Sequence, residues 1–233
     1  MPLLGPAAML LLFDVAQEAI PEHDEWHTHE HLPERLSIPG FLRGTRWIAL
    51  RGQPRYFVMY EVAQLATLTS QPYLDRLNNP SPWTSKMMPH YRGMTRGFCS
   101  VMGSCGFGIG RVCVLRRLKL APTTESKLRD WLLRDRLPRL PGKPGIGSVH
   151  LFEPAITPKM TTEQSIRGAD AALDWTLFLT GYSESALSDL LESDFSQSEL
   201  EANGAAGALD AMYRLDYSLT HRELRAGEID EEP

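Results

Sequence analysis

Apolar and polar positions along the chain switch between two periods. Met9 to Ala16 is a short apolar run suited to a buried strand. Pro21 then sits where a helix can begin, with Glu22, Asp24 and Glu25 where acids complement the helix dipole. Pro33 predicts an end near Leu32, because a proline disfavours helical geometry in the residue before it. Pro39-Gly40 reads as a turn. Phe41 to Leu50 and Tyr56 to Val62 read as strands joined through Arg51-Gly52-Gln53-Pro54. Leu65 to Tyr91 reads as helix broken by Pro72, Pro80, Pro82 and Pro89, and Thr95 to Met102 as a closing strand. The second half repeats the order. Arg111 to Leu120 is a strand, Thr123 to Leu137 a helix and Gly147 to Phe152 a strand. Pro154 to Asp170 follows as an irregular loop, Trp175 to Tyr182 as a strand and Glu184 to Phe195 as a helix. Glu199 to Gly207 is a loop and Ala211 to Leu219 the last strand.

One phrase is written twice. Trp26, five residues, Leu32-Pro33, five residues, Pro39-Gly40 recurs at the same spacing as Trp131, Leu137-Pro138 and Pro144-Gly145. The copies share apolar and turn residues but not chemistry. The first carries His23, His27, His29, Glu30, His31, Glu34 and Arg35, whereas the second carries Leu132, Arg134, Asp135, Arg136 and Arg139. The expected fold is α+β: two tandem β-α-β-β-α-β ferredoxin-like units, residues 1–107 as the active half and 108–221 as the structural half, with 222–233 a frayed acidic tail. Each unit leaves one sheet face bare. Packing the two faces together predicts an apolar cavity between the sheets for a small organic molecule.

Bulk properties narrow the function. A net charge of −5 gives no electrostatic support to a nucleic-acid or anionic-membrane partner. No stretch is long and apolar enough for a transmembrane helix, and Met1 to Val15 lacks a basic leader segment. Cys99, Cys105 and Cys113 form no disulfide framework, which suggests reduced thiols and a cytoplasmic home. Gly103 to Gly110 lacks the spacing, lysine and following helix of a phosphate loop and reads as a link between the halves.

Candidate chemistry concentrates in the first copy. On a helix His23, His27 and His31 fall on one stripe, Glu30 neighbours His27, and His29 points elsewhere, with Trp26. Three readings compete. Imidazole oriented by a carboxylate performs general acid/base work. Two histidines four apart with a carboxylate hold a divalent metal or haem. A hydrated polar face does neither. His23 reads as plain surface. Tyr56, Val58 and Tyr60 share one face of their strand, and Phe57, Met59 and Glu61 the other; either set can line a cavity. Trp83, between Pro82 and Thr84, is placed over a pocket mouth. Arg43, Arg46 and Arg96 are candidates for a substrate carboxylate.

The segment Glu25 to Trp47, EWHTHEHLPERLSIPGFLRGTRW, resembles the EthD-like branch of the dimeric α/β-barrel superfamily, with its EHLPE…PGF phrase after the first strand. That resemblance implies a fused pair of barrel halves. It also implies small-molecule chemistry of several sorts: lactone isomerases, polyketide cyclases, cofactor-free oxygenases and haem-dependent enzymes. His31 lies inside the family phrase and is preferred on that ground. The expectation is therefore a homodimeric enzyme of isomerase or lyase type, working without an organic cofactor. His31, His27 and Glu30 are its catalytic group, and Arg35, Tyr60, Trp83, Arg46 and His29 touch the substrate. Haem or a metal on His27 or His31, or a metabolite-binding protein without activity, are the alternatives.

Overall fold

The computed structural model describes residues 2–155 and 161–229. Chain order begins with β1 (Ala7–Val15) and a helix α1 over residues 20–36, followed by β2 (Phe41–Arg51) and β3 (Tyr56–Val62). Helices α2 (Gln71–Asn78) and α3 (Pro82–Met87) lead to the long strand β4 (Tyr91–Gly106). The second half runs β5 (Val112–Leu120), helix α4 over residues 125–139, β6 (Ile146–Ala155), α5 (Thr162–Arg167), β7 (Ala171–Ala172) and β8 (Trp175–Gly181). It closes with α6 (Glu184–Glu192), α7 (Gln197–Ala202), β9 (Ala205–Thr220) and α8 (His221–Ile229). No helix among the described residues is long and apolar enough to cross a membrane.

The strands pair in the order β1-β3-β2-β9-β5-β8-β6-β4, and β4 returns to β1, so eight strands close a barrel; β7 adds a short parallel pairing to β4. The halves superpose in register. Met9 faces Tyr60 and Leu11 faces Val58 in the first, as Val114 faces Leu179 and Arg116 faces Leu177 in the second. Met9 also faces Phe98 on β4, as Val114 faces Met212 on β9. Two ferredoxin-like units therefore form one closed barrel, joined where β2 meets β9 and β4 meets β6.

Alternation along each strand separates three cores. One lies inside the barrel, where Leu10, Trp47, Phe57, Phe152, Phe178 and Tyr213 interlock with ring centroids under 6.5 Å apart. The expected cavity between the sheets is thus corrected: side chains fill that space. The other two cores lie outside the barrel, between each half-sheet and its own helices, and include Trp26, Leu32 and Leu36 in the first half and Leu128, Leu132, Leu137 and Leu140 in the second.

The repeated phrase folds the same way twice. Both helices widen into a π turn just before Leu-Pro, His27–His31 in α1 and Leu132–Arg136 in α4, and Leu32 N–H reaches His27 O as Leu137 N–H reaches Leu132 O. A proline inside a helix lacks a donor and clashes with the carbonyl four residues back; the wider turn accommodates both, so α1 runs through Pro33 to Leu36 rather than stopping at Leu32. Gly40 and Gly145 close the phrases at φ of 92° and 88°, a region that favours glycine.

Four segments depart from the sequence reading. Residues 162–167, inside an expected loop, and 197–202, overlapping the loop expected from Glu199, are helical, capped through Thr161 and Ser196. Strand β4 runs on to Gly106 through the first half of the glycine-rich stretch expected as a link. Where a loose tail was expected, residues 221–229 are helical, and His221 Nδ1 lies 2.8 Å from Leu36 O. Residues 230–233 lie outside the described residues.

Candidate functional site

The cavity lies between α1 and the outer face of the first half-sheet. His27, His31 and Arg35 enter it from α1, Tyr60 and Val58 from β3, Met9 and Phe13 from β1, and Tyr91, Met94 and Arg96 from β4 and its entry. Tyr73 approaches from α2, while Glu163 and Arg167 close it from α5. About 30 Å³ is open to the centre of a water molecule; since about 10–15 Å³ of such space holds one water, the cavity takes about two. A larger, more open cleft of about 360 Å³ lies between Arg51-Gly52 and the second half, but its Arg116 is engaged by Asp210 at 3.0 Å and by the Leu191 carbonyl at 3.2 Å.

The π turn holds the stripe together. In an α-helix of 3.6 residues per turn, a four-residue step overshoots by about 40°, so His23, His27, His31 and Arg35 would spiral away from one another. The wider turn at His27–His31 takes back part of that drift. The rings of His23 and His27 stack at 5.5 Å, those of His27 and His31 lie 5.5 Å apart, and Trp26 packs on His31 at 4.4 Å.

These histidines are neutral bases. Burial pushes His27 well below the usual imidazole range, and the charges of Arg46 and Arg35 push the same way. Burial does the same to His31, reinforced by Arg35. His27 Nδ1, His31 Nδ1 and the Tyr60 hydroxyl are buried with no hydrogen-bond partner among the described residues. Burial works against the Arg35 charge, but Glu163, Tyr73 and Glu34 hold the guanidinium firmly protonated. Arg35 is ion-paired with Glu163 from α5 and, at 3.1 Å, with Glu34. Asp170 holds the other two cations, Arg96 at 3.1 Å and Arg167 at 2.8 Å.

Of the residues the sequence marked, His27, His31, Arg35, Tyr60 and Arg96 meet in the cavity; Glu30, His29, Arg46 and Trp83 stand outside its wall, as does Arg43, paired with Glu61. Glu30 accepts Trp26 Nε1 at 3.1 Å and Ser81 Oγ at 2.5 Å, pinning α1 to α3. His29 is exposed beside Glu25 at 3.3 Å. Arg46 donates to Asp216 at 2.6 Å and to the Asp24 carbonyl at 3.1 Å, behind the site. Trp83 donates to Glu22 at 3.1 Å, clamping α3 against α1 rather than covering a mouth. His23, read as surface, is fully buried. Sequence reasoning missed Tyr91, Glu163 and Arg167. The capping box Thr161-x-x-Gln164 was the available signal for the helix carrying the last two.

No cluster of three or more side chains that could hold a metal ion occurs among the described residues.

No family model matches the chain, and no curated protein matches its sequence. Solved structures do match. An anthrone oxidase-like protein shares 11% identity at a TM-score of 0.65, covering 92% of this chain and 93% of its own. A provisionally named monooxygenase of Fusobacterium nucleatum shares 10% identity at 0.61, covering 94% and 96%. Another, from Lactobacillus acidophilus, shares 9% at 0.60, covering 93% and 97%. At such identities the likeness establishes the fold: this chain is a dimeric α/β barrel with both halves in one polypeptide.

Proposed function

We propose that the chain is an enzyme that moves protons on a small organic molecule, possessing one working site, against α1. The observation that carries this reading is the set of buried, unpartnered polar atoms at one cavity: Nδ1 of His27 and His31 and the hydroxyl of Tyr60. Buried polar groups left unpaired cost free energy, so their gathering at one place marks a site that a ligand completes.

A neutral imidazole has a free lone pair and accepts a proton from an activated carbon acid; the imidazolium so formed faces Arg35 and releases that proton readily. The guanidinium of Arg35 meanwhile stabilises the anion left on the substrate. The cavity as it stands takes only waters, so an organic substrate requires more room there, and its oxygen anion takes the place of Glu163 at Arg35. Isomerisation, cyclisation and elimination all begin with this step. Reaction of the same carbanion with dioxygen begins so too, and the oxidase and monooxygenase names of the neighbours bear on that second outcome.

The test is deuterium exchange. Carbon acids such as anthrones and unsaturated lactones are incubated with the protein in D2O and followed by NMR. Wild-type protein is expected to catalyse exchange at the acidic carbon, and His31→Ala to lose it by about a hundredfold or more while staying folded. Undiminished exchange in that variant overturns the assignment.

A further inference from the structure

We infer that Tyr91 is a second proton-exchanging group of this cavity, and that His23 and Asp24 are the positioning residues that connect its hydroxyl to solvent. This rests on the cavity proposed above as the site but not on the role given there to His31.

Three contacts make the connection. Asp24 Oδ1 lies 3.1 Å from His23 Nδ1, and His23 Nε2 lies 3.3 Å from the hydroxyl of Tyr91, whose ring forms part of the cavity wall. His23 is fully buried, Tyr91 nearly so, and the Asp24 side chain is 29% exposed. The chain of groups thus begins at the cavity and ends at water.

Donor and acceptor roles follow by elimination. Burial alone would raise the Asp24 carboxyl, but its hydrogen bonds from His23 and Tyr56, with Arg46 nearby, bring it below the ordinary range, so it is ionised and only accepts. It takes the Tyr56 hydroxyl at 2.8 Å and therefore the Nδ1 proton of His23. Burial also keeps His23 neutral, against the opposing pull of Asp24. A neutral imidazole protonated on Nδ1 is bare on Nε2, so Tyr91 donates to it. The order carboxylate, imidazole, hydroxyl is the one that activates a hydroxyl elsewhere in protein chemistry.

The proton balance closes. When Tyr91 Oη takes a proton from the occupant of the cavity, its own proton passes to His23 Nε2, and the imidazolium is held by the Asp24 carboxylate. The imidazolium then returns the Nε2 proton through Tyr91 to another atom of the occupant, while its Nδ1 proton exchanges with one from water through Asp24, so His23 ends as it began.

The duplicated half argues that the fold does not need these groups. At the places of His23, Asp24 and Tyr91 it has Leu128, Arg129 and Ala205, with Leu120 facing Ala205 on the strands as Val15 faces Tyr91. All three members are replaced together.

The experiment needs no substrate. In 15N-histidine-labelled protein at pH 7, His23 is expected as the tautomer protonated on Nδ1. Hydroxyl exchange with water is then compared between Tyr91 and Tyr60, whose hydroxyl has no partner among the described residues. Tyr91 is expected to exchange at least tenfold faster, and Asp24→Asn and His23→Gln to bring it to the Tyr60 rate while leaving Tyr60 unchanged. Asp24→Asn retains the acceptor for Tyr56 and stays informative if His23→Gln fails to fold. A bare Nδ1 on wild-type His23, or a Tyr91 rate unmoved by Asp24→Asn, overturns the inference. Deuterium exchange on a carbon acid separates it from the role given to His31: loss in Tyr91→Phe alone keeps the relay and removes His31, and loss in His31→Ala alone does the reverse.

Discussion

Helices α1 and α4 come from one phrase, carry the same π turn and pack on half-sheets of the same register, yet one borders a cavity and the other a solid core. The stripe His23, His27, Arg35 on α1 is matched by Leu128 and Leu132 on α4 and Leu140 just past its end, all buried. Tyr60 on β3 is matched by Leu179 on β8. The place of His31 is taken by Arg136, which turns to the surface, ion-pairs with Glu199 at 2.5 Å and covers Trp131. Identical backbone plans thus accept either filling. The polar stripe is therefore no requirement of the fold: burial of leucine serves the same helix, and the imidazoles are kept at a cost in stability. Sites of function are where such costs are tolerated.

Reciprocal exchange is the strongest way to break this comparison. Leu132→His puts an imidazole into a packed leucine core without a partner and is expected to destabilise by about 3 kcal/mol or more. His27→Leu gives α1 the residue its twin already carries, removes a buried unpaired nitrogen and is expected to stabilise by about 1–2 kcal/mol while reducing proton exchange on substrate. Urea unfolding at pH 7 reads both. If His27→Leu destabilises as Leu132→His does, the stripe is structural and the asymmetry between the halves has been misread.

Acid sharpens the same contrast with a somewhat smaller effect. The unfolded imidazole binds its proton near 6.5, whereas buried His27 and His31 resist it until far lower pH. Between those values the unfolded chain holds protons that the folded chain lacks, so acid favours unfolding. The contribution is intact above about pH 6.5 and declines below it, by up to about 1.4 kcal/mol per pH unit for each histidine. His27→Leu combined with His31→Leu is expected to flatten the slope of unfolding free energy between pH 6.5 and 5 by about two protons. His150, held between Ser104 and Ser148 inside the barrel and pushed down to about 3 by burial and Arg43, keeps the remaining slope from vanishing, as does His23. An unchanged slope would mean that the two imidazoles are hydrated in solution.

Much of the fold is legible in the residues because it is written locally and twice. Strand alternation, the turns at Pro39-Gly40 and Pro144-Gly145 and the duplicated phrase carry the order of elements. Tyr56, Val58 and Tyr60 share the helix-facing side of β3, as alternation requires. The site is less legible. His27, His31 and Arg35 share a stripe that the spacing reveals, but the burial of His23 comes from its packing on Phe13, Tyr56 and Tyr91, which lie far from it in sequence. Glu30 shows the limit of spacing arguments: it sits one position from His31, yet points to α3 and binds Ser81. Tyr91 reaches the cavity only because β4 pairs with β1, and Glu163 only because α5 folds back from the opposite half of the sequence. Both are long-range contacts that no local pattern encodes.

Arg136 provides the finest test. It is the positional twin of His31, so a role intrinsic to this place in the helix would make both residues matter. The surroundings argue otherwise. The Arg136 side chain is 22% exposed, its partners Glu199, Asp135 and Asp194 sit at the surface or close to it, and its stacking on Trp131 at 5.0 Å is partly solvated. Ion pairs of this kind contribute about 0–1 kcal/mol, and an exposed cation over an aromatic ring about 0.5–1 kcal/mol. Arg136→Ala is expected to lower stability by about 1 kcal/mol, with much of that loss disappearing in high salt, and to leave proton exchange on substrate at the wild-type rate. A loss of exchange comparable to that in His31→Ala would place catalytic work in the second half as well, and the division of labour between α1 and α4 would have to be abandoned.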